Sequence, residues 1–258
     1  MEAAAPDRAE IEEIEGCANR AWPAALVEPL DGWLLRWSDG LTRRGNSAYP
    51  LADTGSLPLE EKVEAVESWY RERGVGALYQ LSPIATPERL DPVLAARGYS
   101  FESPVSIQTC SAAALAAEPF RTEMLSAHVT DTPTAEWRAT SVDRGRFAER
   151  PGTFDGFLER IGARAGFAQA RISEEPVASG LGVVDGNRAG IFAMLTVPER
   201  RGQGAGAALL VALARWATER GARELYLQVE RDNPAALALY ERAGFRERYG
   251  YHYRREAG

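Results

Sequence analysis

Lysine is nearly missing from this chain of 258 residues: Lys62 stands alone, and the remaining basic charge is arginine. With alanine so abundant, that bias reflects a GC-rich coding sequence and carries no functional meaning. Cysteine is as scarce. Cys17 and Cys110 are too few for a disulfide framework, and neither has metal-like spacing. The two histidines, His128 and His252, lie far apart in sequence, which leaves no histidine-based metal motif. The formal charge of −7 argues against a nucleic-acid binder, for which a basic face is the rule, although a local basic pocket stays compatible with it. No run approaches the ~18 apolar residues of a membrane span. The acidic start, Met1 to Glu15, has no apolar core of signal-peptide length. The expectation is a soluble, cytoplasmic protein without a metal, a nucleic-acid partner or a membrane partner. What is present is ordinary for a globular protein, 45% hydrophobic and 26% charged residues, with length for one large domain or two modest ones.

The most informative stretch is Val197-Pro198-Glu199-Arg200-Arg201-Gly202-Gln203-Gly204-Ala205-Gly206. The apolar run Ile191 to Val197 before it reads as a buried strand. Ala207 to Trp216 after it reads as a helix, with Leu209, Leu210, Leu213, Trp216 and Ala217 on one face. Strand, glycine loop and helix together present backbone N–H groups and a helix start to a phosphate. Glycines serve where the backbone takes positive φ or must touch the ligand, and Arg200 and Arg201 add positive charge. The loop lacks the Gly-Lys-Ser/Thr ending of a P-loop, and also the third glycine and distal acid of the dinucleotide fingerprint. Taken alone, the loop is weak evidence, and an ordinary flexible turn is the simpler reading.

Periodicity and turn residues predict the other elements. Helices are expected over Pro6 to Arg20, Leu59 to Arg73, Pro87 to Arg97 and Phe154 to Ile161, and from Asn233-Pro234, a cap followed by a first-turn proline, to Gly244. Strands are expected at Gly32 to Trp37, Leu41 to Leu51, Ala77 to Leu81, Tyr99 to Cys110, Ser126 to Thr130 and Glu136 to Thr140. Further strands are expected at Gly166 to Ser173, Val177 to Val184, Leu225 to Val229 and Phe245 to Arg254. Ser111 to Glu118 reads as a linker or short connector.

The two halves of the chain match each other. Asp39-Gly40 corresponds to Asp185-Gly186 and Gly98-Tyr99 to Gly244-Phe245, both at an offset of 146 residues. Trp69, Arg73, Gly74, Leu78 and Tyr79 correspond to Trp216, Arg220, Gly221, Leu225 and Tyr226 at an offset of 147. Shared spacing over such a length is the mark of a duplicated unit. The copies differ where a ligand would bind. Thr54-Gly55-Ser56-Leu57-Pro58-Leu59 replaces the arginine and glycine loop, and Leu94 replaces Tyr240.

In the second half, the loop together with Val229-x-x-x-Asn233-x-x-Ala236-x-x-x-Tyr240-x-x-x-Gly244-Phe245 resembles the GNAT superfamily of acyl-CoA N-acyltransferases. The Arg/Gln-x-x-Gly-x-Gly/Ala pattern falls on Arg201, Gly204 and Gly206. The resemblance spans Ile191 to Phe245, and the first half shares it only through the repeat. It implies an α/β (α+β) fold: a mixed, mostly antiparallel sheet flanked by helices, here in tandem with a degenerate copy. Residues 1–118 would be the degenerate domain and 119–258 the catalytic one.

It also implies acetyl-CoA as co-substrate. The backbone of Leu195, Thr196 and Val197 would hold the pantetheine, with an N–H near Val197 stabilising the oxyanion. The N–H groups of Arg201, Gly202, Gln203, Gly204, Ala205, Gly206 and Ala207 would cradle the pyrophosphate. Tyr240 takes the general-acid position, and Asn233 either bonds the pantetheine or simply caps a helix. The expected reaction is direct acetyl transfer to a primary amine of a small molecule, peptide or protein, by a monomer or homodimer. The alternative is a non-catalytic acyl-CoA-binding regulator of the same fold.

No glutamate sits on the strand before the loop. That leaves Glu136, His128 or Glu230 through water as the general base, or a substrate that arrives partly neutral. The net negative charge favours cationic acceptors. The polar and aromatic segments Asp31 to Arg36 and Thr42 to Ser47 either help wall the acceptor site or are ordinary core and solvated surface.

Overall fold

The computed structural model describes residues 6–257 apart from 121, 144 and 146; Met1 to Ala5, part of the acidic start, fall outside them. In chain order the elements are α1 (Arg8–Ala21), β1 (Leu26–Leu30), β2 (Trp33–Trp37), β3 (Ala48–Tyr49), α2 (Leu59–Arg71), β4 (Leu78–Leu81), α3 (Leu90–Ala96) and β5 (Ser100–Ser111). They continue with α4 (Ala112–Ala116), β6 (Leu125–Thr130), α5 (Ala135–Arg138), α6 (Pro151–Ile161), β7 (Ala165–Ile172), β8 (Glu175–Asp185) and β9 (Arg188–Thr196). The last four are α7 (Ala205–Glu219), β10 (Glu224–Glu230), α8 (Pro234–Arg242) and β11 (Arg246–Arg255). No described helix is long and apolar enough to cross a membrane.

The described strands form one sheet, in the order β1-β2-β3-β4-β11-β5-β10-β9-β8-β7-β6. Neighbours are antiparallel except β3 with β4 and β9 with β10, which run parallel. The repeat accounts for this symmetry. β4 is the counterpart of β10, and β5 of β11. Each copy's last strand crosses into the other copy. β11 pairs with β4 through His252↔Leu81 to Arg255↔Leu78, and β5 pairs with β10 through Glu224↔Ser111 to Glu230↔Val105. β5 and β11 then pair with each other along most of their length. The exchange closes both inner sheet edges, which would otherwise expose unpaired N–H and C=O groups. It also makes the two copies one continuous sheet.

Helix α7 lies across β6 to β9, and its seat is cut by glycines. Gly166 and Gly182 face each other across β7 and β8, and a Cβ on either would run into the Trp216 indole. Packing of this tightness is felt when volume changes, so Trp216→Ala is expected to cost about 3–5 kcal/mol. The expected linker at Ser111 to Glu118 contains helix α4, capped by Ser111 Oγ accepting from Ala114 N at 3.3 Å. Arg215 ties its end to α7 by donating to Ala116 O at 3.0 Å and Glu118 O at 2.7 Å.

Other expectations need correction. The strand expected at Glu136 to Thr140 is helical, because Thr134 Oγ1 accepts from Trp137 N at 3.1 Å and starts α5. Most of Leu41 to Leu51 is not strand. A 3-10 turn at Arg44–Asn46, held by Asn46 Nδ2 donating to Thr42 O at 2.7 Å, leaves only β3. The helix expected from Pro87 begins at Leu90.

Candidate active site

Parallel pairing of β9 and β10 runs from Arg188↔Glu224 to Ile191↔Leu227 and stops there. Past that point the strands part. The cause lies in β9, where register with β8 jumps between Leu181↔Phe192 and Ser179↔Leu195. Ala193 sits in the bulge with φ of 49°. Such backbone costs an alanine about 1 kcal/mol, so the surrounding fold imposes the bend.

One side of the opening is a groove of about 980 Å³ running past the glycine loop. Gly204 occupies the cap position of α7 with φ of 90°, and no side chain caps the helix. The N–H of Ala208 donates to Gly204 O at 3.0 Å, so helix geometry leaves the N–H groups of Ala205, Gly206 and Ala207 without intrahelical acceptors. These groups and the helix dipole favour an anion. At Gly206 a Cβ would press on Leu239 Cδ2 at 3.0 Å, so the glycine lets α8 close over the helix start. Arg201 and Arg242 line the same groove, and among the described residues neither is in an ion pair. Arg200 is paired with Glu175. Cys110 also lines the groove; burial pushes its thiol up to about 12, which keeps it protonated at neutral pH.

On the other side lies a second cavity of about 910 Å³. It shares Met194, Leu195, Asn233, Ala236 and Tyr240 with the groove. The two spaces therefore meet where β9 and β10 part, with Tyr240 on both. Tyr240 is 8% exposed, and its ring sits edge-on to Phe245 at 5.8 Å.

The structure brings Leu195, Thr196, Arg201, Gly202, Gly204, Ala205, Gly206, Ala207, Asn233 and Tyr240 to the groove. Val197 and Gln203 do not line it. Val197 N donates to Val177 O at 2.9 Å, so its own N–H is engaged, and an oxyanion donor near Val197 would be a neighbouring N–H. Hydrogen bonding alternates along a strand edge, so Thr196 faces away from β8; its carbonyl accepts from Arg201 Nε at 3.4 Å. Gln203 is exposed, and its amide donates to Glu199 O at 3.5 Å. Asn233 Oδ1 accepts from Ala236 N at 3.1 Å, so it does cap α8.

Of the three base candidates, Glu230 lines the second cavity, paired with Arg43 at 3.0 Å. Glu136 pairs with Arg171, His128 lies on the outermost strand β6, and neither lines either space. The first half also supplies walls: Trp22, Arg43 and Arg44 line the second cavity, opposite Tyr251 and Tyr253 of the last strand. The polar segment Thr42 to Ser47 signalled part of this wall. Trp22 and the tyrosines gave no local signal, because they arrive through the strand exchange and the packing of the chain start.

Over residues 8–254 the chain matches the protein family described as probable histone acetyltransferase Rv0428c C-terminal. It is 32% identical over 243 residues to the probable histone acetyltransferase Rv0428c of Mycobacterium tuberculosis (strain ATCC 25618 / H37Rv), covering 92% of this chain and 71% of that one. It is 29% identical over 249 residues to the uncharacterized N-acetyltransferase YobR of Bacillus subtilis (strain 168), covering 95% and 98% of the two chains. Among solved structures it is similar to a tandem GNAT protein from the clavulanic acid biosynthesis pathway. That likeness has a TM-score of 0.64 at 15% identity and covers 98% of this chain and 89% of that one.

Proposed function

The chain belongs to the Rv0428c C-terminal acetyltransferase family, within the GNAT superfamily of acyl-CoA-dependent N-acyltransferases, and from that premise we propose that it moves acetyl from acetyl-CoA to a primary amine of a small molecule or peptide. The observation that carries this reading is the meeting of two cavities at Tyr240, in the gap between β9 and β10. We place the site-bearing copy in residues 119–258, with residues 1–118 as the copy that completes its walls.

The groove fits the co-substrate. A pyrophosphate would sit on the free N–H groups of Ala205, Gly206 and Ala207, with Arg201 and Arg242 as its counter-charges. Thr196, turned away from β8, offers its backbone to the pantetheine arm and to developing oxyanion charge. When bound, acetyl-CoA supplies an acyl group activated as a thioester.

The protein's part is proton handling and placement. An alkyl ammonium has a pKa of about 10.4 and must lose a proton before it can attack. Glu230, which lines the acceptor cavity, takes that proton directly or through water. Tyr240 borders both spaces and gives a proton to the departing sulfur, a role suited to a phenol. Leu195 and Met194 line the junction and keep it apolar. A non-catalytic acyl-CoA-binding regulator would need no second cavity at the acyl end of the groove, so its presence favours turnover. The test is free-thiol release from acetyl-CoA over a panel of primary amines. Amine-dependent release is expected; CoA binding without release for any amine would return the regulatory reading.

A further inference from the structure

The second cavity has spare donors and committed acceptors. Arg44 Nε and Nη1, Gln228 Nε2 and Ser141 Oγ are buried without a hydrogen-bond partner, and all three residues line it. Its side-chain acceptors are largely engaged: Glu230 Oε1 is paired with Arg43, and Gln228 Oε1 accepts from Tyr251 at 2.8 Å. Asp232 stands at the exposed rim.

Of the two arginines lining this space, Arg44 is the one in no ion pair among the described residues. Its guanidinium lies over the Phe192 ring at 5.5 Å and the Trp22 ring at 5.8 Å. The nearby carboxylate, Glu15, forms no ion pair among the described residues and is tied to Tyr49 and to Tyr249, the latter at 2.9 Å. Burial pushes the Glu15 carboxyl up, toward its neutral form. A desolvated guanidinium with orphan N–H groups is costly unless something accepts from it.

Resting on the acetyltransferase reading above, we propose that the acceptor is zwitterionic. Its amine stands at the Glu230 and Tyr240 end, and a carboxylate or phosphate at its other end is held by Arg44 with Gln228 and Ser141. Phe192 precedes Leu195 by three residues, at most roughly 10 Å of extended chain and less across the bulge at Ala193. The acceptor's amine and anion therefore stand on the order of 5–9 Å apart. This reverses the preference that net charge alone suggests, because the wall far from the acyl group is basic.

The test compares γ-aminobutyrate and ε-aminocaproate with their primary amides, with the matching ω-aminoalkyl phosphonates and with the matching diamines. Acetylation rates and calorimetric binding to the CoA-loaded protein are both read. The carboxylate or the phosphonate is expected to exceed its amide by at least about tenfold in kcat/KM, mainly through KM, and to bind more tightly; whichever leads identifies the anion. Arg44→Met collapses that ratio toward one, and Arg44→Lys restores part of it. Thermal unfolding and CoA titration verify that the variants are folded. Equal loss on amide and anion in Arg44→Met, or diamines equalling the anionic amines in the wild type, overturns the proposal while leaving the transferase reading intact. Absence of turnover with every amine overturns the transferase reading. Calorimetry then decides on Arg44 alone: anion binding that Arg44→Met abolishes sustains its role, and undetectable binding removes it.

Discussion

In the C-terminal copy, helix α7 starts behind Gly204 with its first N–H groups directed into an open groove. In the N-terminal copy, helix α2 starts behind Pro58, and the loop before it is closed by the chain itself. The Asp31 carboxylate accepts from Ser56 N at 3.2 Å and Leu57 N at 3.3 Å, and Thr54 joins it. Lys62, the sole lysine, is 1% exposed there. It pairs with Asp31 at 2.8 Å and Asp53 at 2.9 Å, and lies 4.5 Å from the Trp33 ring centroid. Where one copy leaves room for a ligand's anion, the other carries an anion of its own. The same replacement runs through the rest of the site: Leu94, the counterpart of Tyr240, is fully buried in an apolar cluster with Trp33 and Tyr79. In the N-terminal copy the corresponding positions are thus filled by side chains of the chain itself.

The largest expected effect comes from breaking the open copy. Gly204→Val places a β-branched residue at φ of 90°, where glycine is suited and valine is not. CoA affinity should fall by on the order of a hundredfold or more in calorimetry. Next comes Tyr240→Phe, expected to lower kcat by roughly a hundredfold while CoA affinity stays within about twofold. Equal losses in both would remove Tyr240 from the chemistry.

A smaller effect is expected in the closed copy. Lys62→Met strands two carboxylates and should lower Tm by on the order of 5 °C without changing CoA affinity. The smallest is a pH effect. Lys62 holds Asp31 and Asp53 below the usual carboxylate range. The stability they contribute is complete above the unfolded value of about 3.9 and is lost as pH falls through the lowered folded values. The wild-type chain should therefore lose stability more steeply below about pH 4 than Lys62→Met does. Equal slopes in acid unfolding would contradict the pairing.

The lining of the groove in the open copy was legible because its determinants are local. Two glycines, a cationic loop and the Asn233 to Tyr240 spacing lie within some fifty residues, and the groove gathers most of them. Pairing across the halves was not legible. β5 and β11 look like ordinary last strands, and nothing in their alternation names a partner in the other copy. β1 escaped notice for a physical reason: it is an exposed edge strand containing Pro29, which weakens any strand pattern. The second cavity was half legible. Arg43 and Arg44 stood out as polar, but Trp22, Gln228 and Tyr251 reach it only through the tertiary fold. The closed copy's carboxylate was hidden for the same reason, since Asp31 precedes the loop it fills by more than twenty residues.

The central claim, one open anion site and one filled from within, is tested most directly by the stoichiometry of CoA binding to the whole chain. Calorimetric titration should give one CoA per chain in the wild type and one in Lys62→Met. Two per chain in the wild type would contradict the account.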